Sequence, residues 1–127
     1  MREALRVKVG ELVWMGLTLD ELKKRVFEEA DKIDDAKLYF HLRRLRIRYL
    51  VPSLKSFYVL KVLIAMRRLR LPINSNTITW LFKDKSNIFT ILHNLGDKHL
   101  LILKRKKRIY EWVLNEHLLG DFVEGED

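Results

Sequence analysis

Apolar side chains recur every three to four residues over most of the chain, which predicts a series of amphipathic helices. Thr18 with Glu21 predicts a capping box at the start of the second helix. Asp34 or Asp35 is expected to cap the third helix, and Ser86 the last. The predicted helices cover residues 4–15, 19–30, 35–49, 53–69, 75–82 and 86–98.

The spacing of apolar residues changes to about two near residue 100. Branched and aromatic residues are frequent in 100–104 and 108–114, on either side of the basic segment 105–107. This pattern predicts two strands joined by a cationic turn. We therefore expect a mainly α fold with one small β-hairpin.

The segment from Phe57 to Met66 is apolar on nearly every side of its predicted helix, apart from Lys61. A helix without a polar face is buried. We expect it either to form the core between two units of the chain or to join two copies as a homodimer through residues 57–69. The segment is about half the length of a membrane span, and the N-terminus lacks a signal-peptide pattern. These features predict a cytoplasmic protein with no membrane insertion.

Residue types that catalysis or metal binding needs are missing or scattered. The 127 residues include no cysteine, which excludes a disulfide scaffold, a thiolate metal site and a cysteine nucleophile. The four histidines, at 41, 93, 99 and 117, do not match a metal-ligand spacing, and no glycine-rich phosphate loop occurs. We expect no metal, no cofactor and no enzymatic activity.

The net charge of +8 is distributed unevenly. Residues 37–110 contain eighteen basic and two acidic residues, whereas residues 1–36 and 111–127 are both net acidic. Such a local surplus favours a polyanion, and double-stranded DNA comes first because each phosphate contact releases counterions. An anionic membrane surface is the competing polyanion. The alternative without a ligand is a solvated surface of the thermophile type.

Residues 75–98 predict two helices joined by a short turn, the helix-turn-helix arrangement, and the two strands follow. The segments Ser86-Asn-Ile-Phe-Thr-Ile-Leu-His-Asn-Leu95, Lys98-His-Leu-Leu101 and Ile109-Tyr-Glu-Trp-Val113 resemble the winged-helix family, over about 54–114. The resemblance implies a recognition helix at 86–95 and a wing at 104–108 that lies along the phosphate backbone. Two features depart from the family: the wing turn has no glycine or asparagine, and His99 stands where glycine is frequent.

The expected DNA contacts follow from these elements. Polar residues on the outer face of the recognition helix are expected to contact bases: Ser86, Asn87, Thr90, His93 and Asn94. The wing and the arginine-rich third helix are expected to contact phosphates through Lys104, Arg105, Lys106, Lys107, Arg108, Arg43, Arg44, Arg46 and Arg48. The alternative for both sets is an ordinary solvated face, and for the four arginines of the third helix also partial pairing with the acidic segment 1–36. Phe89 lies beside the outer face, and packing against the wing or the first unit is the favoured role for its ring.

A weak internal repeat suggests that the first unit is a degenerate copy of the second. Leucines at 42, 45 and 50 recur fifty positions later, and residues 18–22 resemble residues 77–81. We predict an N-terminal helix-turn-helix unit at 1–52, a winged-helix domain at 53–115 and an acidic C-terminal tail at 116–127. The tail is expected to be solvated, and the alternatives are competition with nucleic acid for the basic face or binding of a partner. With a second copy, the chain resembles a tandem winged-helix protein of an archaeal or archaeal-virus type.

The predicted function is double-stranded DNA binding by a transcriptional regulator. The alternative is a winged-helix protein-interaction subunit of a replication, transcription or membrane-remodelling complex. Phe89, the apolar central helix and the acidic tail agree with that alternative. The sequence identifies neither a target site nor a small-molecule effector.

Overall fold

The computed structural model describes residues 18–46, 54–82, 85–106 and 109–124, with the backbone alone at 54, 85, 86, 105 and 106. Within these ranges the chain is mainly helical, as the apolar spacing predicts, and the predicted hairpin is part of a small three-stranded antiparallel sheet. The helices are α1 (Leu19–Asp31), α2 (Asp35–Arg44), α3 (Leu54–Arg68), α4 (Ser75–Leu81), α5 (Lys85–Asp97) and α6 (Glu116–Val123). The strands are β1 (Ile73–Asn74), β2 (Leu101–Lys106) and β3 (Ile109–Leu114). The predicted helix at 4–15 lies outside the described residues.

Local capping sets the starts of α1 and α2. Thr18 Oγ1 accepts a hydrogen bond from Glu21 N at 3.1 Å, and Thr18 N donates to Glu21 Oε1 at 3.2 Å, so the predicted capping box is confirmed. Asp34 caps α2 by accepting from the backbone N–H groups of Ala36 and Lys37. The carboxylate satisfies donors that have no partner within the helix.

Three helices end at a residue with a left-handed backbone, and none of the three is glycine. Arg46, Arg70 and His99 have φ of 62°, 60° and 63°. At the ends of α3 and α5, the residue after the left-handed one donates its backbone N–H to a carbonyl in the last turn of the helix. Leu71 donates to Met66 O and Leu100 to Leu95 O, which completes a Schellman cap in each case. The prediction that the third helix continues to about Tyr49 is wrong, because α2 ends at Arg44 and Arg46 turns the chain away.

The apolar helix α3 lies inside the chain. Its residues from Val59 to Met66 are all at least nine-tenths buried, and α3 packs against α1, α5 and α6. The apolar side chains of this helix thus belong to one core cluster within the described chain. The homodimer prediction through residues 57–69 has no support from this face, since the apolar side chains are already covered. Among the described helices, none is long and apolar enough to cross a membrane.

The sheet has the order β1-β3-β2, with β3 in the centre. Ile73 on β1 pairs with Trp112, so the segment before α4 joins the hairpin. On the other side, β2 pairs with β3 from Leu101–Leu114 to Lys106–Ile109. Arg105 and Lys106 are therefore strand residues, which corrects the predicted turn at 105–107. Lys107 and Arg108, which connect the strands, lie outside the described residues.

The predicted acidic tail begins with a packed helix. Glu116 to Val123 form α6, whose N-cap Asn115 accepts from His117 N, and Leu119 and Val123 are buried. The prediction of a solvated tail is thus wrong for residues 116–123. The same core cluster contains Leu22 of α1 and Leu119 of α6, so the first and last described helices share one apolar interior.

The two segments of the predicted repeat occupy different positions in their helices. Thr18 is the N-cap of α1, whereas Thr77 lies in the first turn of α4, whose N-cap is Asn74. Thr77 Oγ1 donates a hydrogen bond to Pro72 O at 2.8 Å and accepts one from Asn74 N at 2.9 Å. This threonine therefore fixes the backbone where β1 passes into α4. The likeness between 18–22 and 77–81 therefore does not extend to equivalent capping positions.

Candidate nucleic-acid interface

Helix α5 separates an apolar face from a polar one. Its inner side chains, Ile88, Ile91, Leu92 and Leu95, are buried against the core. The outer side chains that we predicted to contact bases, Asn87, Thr90, His93 and Asn94, are all exposed. Ser86 lies within the first turn of α5 rather than at its cap, because the helix begins at Lys85. The structure thus brings four of the five predicted base-contacting side chains to one accessible surface.

The ring of Phe89 joins α5 to the sheet. Its centroid lies 5.9 Å from that of Trp112 on β3, which is the packing role favoured for Phe89. α5 also packs against β2, and α4 packs against both α5 and β3. The polar face of α5 is therefore held at a fixed position beside the hairpin.

Tyr110 continues this line of rings toward the end of the hairpin. Its ring lies 6.1 Å from that of Trp112, two residues along β3 on the same side of the strand. Trp112 is 9% exposed, whereas Tyr110 is 45% exposed. We call Phe89, Trp112 and Tyr110 the aromatic row. Packing was the favoured role for Phe89 and no role was predicted for Tyr110; the signal is the two-residue spacing of Tyr110 and Trp112 along β3.

The backbone of Tyr110 is held by Ser75, which lies at the edge of the sheet formed by β1. Tyr110 N donates to Ser75 Oγ at 3.2 Å, and Ser75 Oγ lies 3.5 Å from Tyr110 O. Ser75 is the first residue of α4, and it directly follows β1. The N-terminus of α4 thus anchors the exposed half of β3.

The cationic hairpin is described only in part. Lys104 is exposed and lies opposite Glu111 in the β2–β3 register. Arg105 and Lys106 occupy the last two positions of β2, opposite Tyr110 and Ile109. Lys107 and Arg108 lie outside the described residues. The structure therefore places the start of the basic run at the far end of the hairpin, beyond Trp112.

The predicted arginine-rich face lies on α2, which contacts α6 through His41. Arg43 is exposed with its guanidinium 5.8 Å from the Tyr39 ring, and Arg44 Nη2 lies 3.4 Å from His41 Nδ1. His41 contacts Leu118 O and the Phe122 ring of α6. The described side-chain contacts of Arg43 and Arg44 thus involve neither α5 nor the hairpin. Arg46 is exposed, and Arg48 lies outside the described residues.

Three cations of the basic segment are paired with acids from the flanking segments, which the sequence analysis missed. Lys61 Nζ lies 2.7 Å from Asp35 Oδ1. Arg67 pairs with Glu116 at 3.2 Å, and Arg68 with Glu29 at 3.1 Å. Part of the surplus charge between residues 37 and 110 is therefore neutralised within the fold.

Other features of the described residues do not form a chemical site. No group of three histidine, aspartate or glutamate side chains in the described ranges could hold a metal ion. A shallow groove of about 320 Å³ is lined by Arg67 and by residues 70–73 and 111–114. Burial, and secondarily the charge of Asp31, raises the pKa of Tyr58, whose ring stacks with Phe27 at the α1–α3 contact.

The chain matches no protein-family model, and no curated protein sequence or solved structure is significantly similar to it.

Proposed function

We propose that the protein binds double-stranded DNA, with the polar face of α5 in the major groove and the basic hairpin along the phosphate backbone. The observation that carries this proposal is the Phe89–Trp112 contact, which holds the exposed face of α5 beside the hairpin. One rigid surface thereby combines side chains suited to bases with side chains suited to phosphates.

The chemistry of the α5 face supports base contacts. A major groove about 12 Å wide admits a helix, and its polar side chains then reach base edges. Asn87 and Asn94 can each bond adenine through both amide atoms, and Thr90 can contact a thymine methyl. None of the exposed predicted contacts carries a negative charge, and the exposed carboxylate at the C-terminal end of the helix, Asp97 Oδ2, lies 3.7 Å from His93 Nε2.

The basic run 104–108 supports phosphate contacts. Five consecutive cations repel one another, and a bound phosphate backbone relieves that repulsion. Each neutralised phosphate steepens the dependence of affinity on salt by about 0.9 in the log–log plot. Five such contacts give a slope of about −4 or steeper.

The fold on which this proposal rests is the winged helix. The helix pair α4–α5 followed by the hairpin β2–β3 supplies the elements that the interpretation requires, and β1 ties the helix pair to the hairpin. On this basis the protein acts as a transcriptional regulator, in which phosphate contacts set the position on DNA and α5 selects the sequence.

The test is fluorescence anisotropy with a labelled random duplex at several salt concentrations. Wild-type affinity is expected to fall several hundred-fold between about 50 and 200 mM salt. The variant Lys106→Ala/Lys107→Ala should bind all sequences more weakly and flatten the log–log slope by about 2. The matched control, Lys24→Ala/Lys37→Ala, removes two exposed lysines from α1 and α2 and should leave the slope unchanged. An unchanged slope in the hairpin variant contradicts the proposal.

A second function, protein interaction within a larger complex, is favoured by the exposed aromatic ring of Phe40. This ring is 59% exposed on α2, beside Arg43 and Arg44. Exposed aromatic and arginine side chains are the types that dominate protein–protein affinity. Under this function, duplex binding is weak at physiological salt and Phe40→Ala removes partner binding without changing the DNA slope.

A further inference from the structure

We infer that the hairpin binds an unpaired nucleobase, which stacks on the ring of Tyr110, so that the protein prefers duplexes that carry a single-stranded end. This inference rests on the proposed function, since α5 and the basic run supply the duplex contacts. It adds a binding site for a flat aromatic ligand that duplex contacts do not require.

The site is defined by an exposed apolar surface within the cationic hairpin. Tyr110 is 45% exposed, and Leu103, the register partner of Trp112 on β2, is 51% exposed. Directly opposed residues of an antiparallel pair project to the same face of the sheet. Leu103 therefore lies on the same side as the aromatic row, next to the ring of Trp112.

This apolar surface lies on the side of the sheet that faces α5. Phe89 of α5 contacts Trp112, and Tyr110 follows Trp112 on the same side of β3. The row therefore leads from the base-contacting helix to the basic end of the hairpin. A single strand that leaves a duplex held by both elements passes over the exposed ring.

The ring is preorganised rather than mobile on a loop. Hydrogen bonds to Ser75 Oγ hold the Tyr110 backbone, and the Trp112 ring supports one side of the phenol at 6.1 Å. A ring that is already fixed loses little conformational freedom when a base stacks on it. This is the arrangement that single-strand binding requires: stacking aromatics combined with cations that follow the backbone.

Intact duplex DNA does not use such a surface. In a duplex the faces of the bases are covered by stacking on their neighbours, and the outside presents phosphates and groove edges. A free face exists where a base is unpaired. Stacking is tolerant of sequence, because every base has a π-face.

The experiment compares two labelled DNAs that share one duplex: one blunt, the other with a short single-stranded overhang containing 2-aminopurine beside the junction. The wild-type protein should bind the overhang DNA roughly tenfold more tightly and quench the 2-aminopurine fluorescence. Tyr110→Leu should lose both effects while its blunt-duplex affinity stays unchanged. Tyr110→Phe should keep both, because the ring rather than the hydroxyl makes the contact.

Phe40→Leu is the matched control, since it removes another exposed aromatic ring, on α2. This variant should keep the overhang preference, and thermal melting of all variants should match the wild type. Equal affinity for the two DNAs, or loss of the preference in Tyr110→Phe as well, overturns the inference and leaves the proposed function standing. Absence of binding to the blunt duplex overturns the proposed function and this inference together.

Discussion

Arg68 on α3 and Glu29 on α1 form an ion pair in which Arg68 Nη1 lies 3.1 Å from Glu29 Oε2, with only 8% and 17% of the two side chains exposed. Arg68 Nε also donates to Phe122 O at the end of α6, at 2.6 Å. One guanidinium therefore links three helices that are distant in the sequence, and it satisfies a carbonyl at the end of the last one.

Replacing Arg68 by methionine should lower the free energy of unfolding by about 3 kcal/mol, because Glu29 and the Phe122 carbonyl lose a largely buried partner. Arg67→Met is the matched control. Arg67 pairs with Glu116, but both side chains are more than 40% exposed, so the expected loss is about 0.5 kcal/mol. Urea unfolding at neutral pH measures both variants, and equal losses would contradict the assigned difference in burial.

His99→Gly should stabilise the protein by about 1 kcal/mol. His99 has φ of 63° after α5, and a side chain in this left-handed region costs about 1–2 kcal/mol that glycine avoids. The hydrogen bond that His99 accepts from Asn115 Nδ2 uses the backbone carbonyl, so it survives the change. Thermal melting checks the gain. Lys98→Gly, one residue earlier, should instead destabilise the protein, and stabilisation by both would argue against the left-handed cap.

Leu119→Ala should destabilise the protein by about 3 kcal/mol, because Leu119 is fully buried where α6 packs on α3. Leu118→Ala, at the half-buried neighbouring position, should cost less. Urea unfolding again gives the values. If both substitutions change stability by less than about 0.5 kcal/mol, residues 116–123 behave as a solvated tail and the packed helix is wrong.

Features that depend on neighbouring residues could be predicted from the sequence. The Thr18–Glu21 capping box, the buried stripe of α5 and the change to strand spacing after residue 100 all agree with the structure. In each case the signal lies within a few residues of the feature. The exposed polar face of α5 follows from the same periodicity.

Features that depend on tertiary contacts could not be predicted in this way. β1 has two residues, and only its pairing with Trp112 and Glu111 makes it a strand. The end of α2 at Arg44 depends on a left-handed arginine, where no glycine marks the turn. The helix at 116–123 is a different case, because the helical spacing of the apolar residues 118, 119, 122 and 123 is a local signal that was passed over in favour of the acidic charge.

Asn87→Ala should change which DNA sequences the protein prefers rather than weaken all of them equally. A bidentate contact to adenine contributes about 1–3 kcal/mol of discrimination, so the affinity ratio between a selected and a random duplex should fall about tenfold. Competition binding measures that ratio. Asn76→Ala on α4 removes the same side chain outside the polar face of α5 and should leave the ratio unchanged. If Asn87→Ala also leaves it unchanged, Asn87 does not read bases.

The proposed function requires that α5 and the hairpin form one DNA-binding surface. The most direct measurement is NMR of the isotopically labelled protein during titration with duplex DNA, following each backbone amide. We expect large shift changes at 87–94 and 104–108 and small changes on α1, for example at Asp20, Lys24 and Glu28. Changes centred on Phe40 and Arg43 with no response from α5, or no change at any amide, would show that α5 and the hairpin do not bind duplex DNA together.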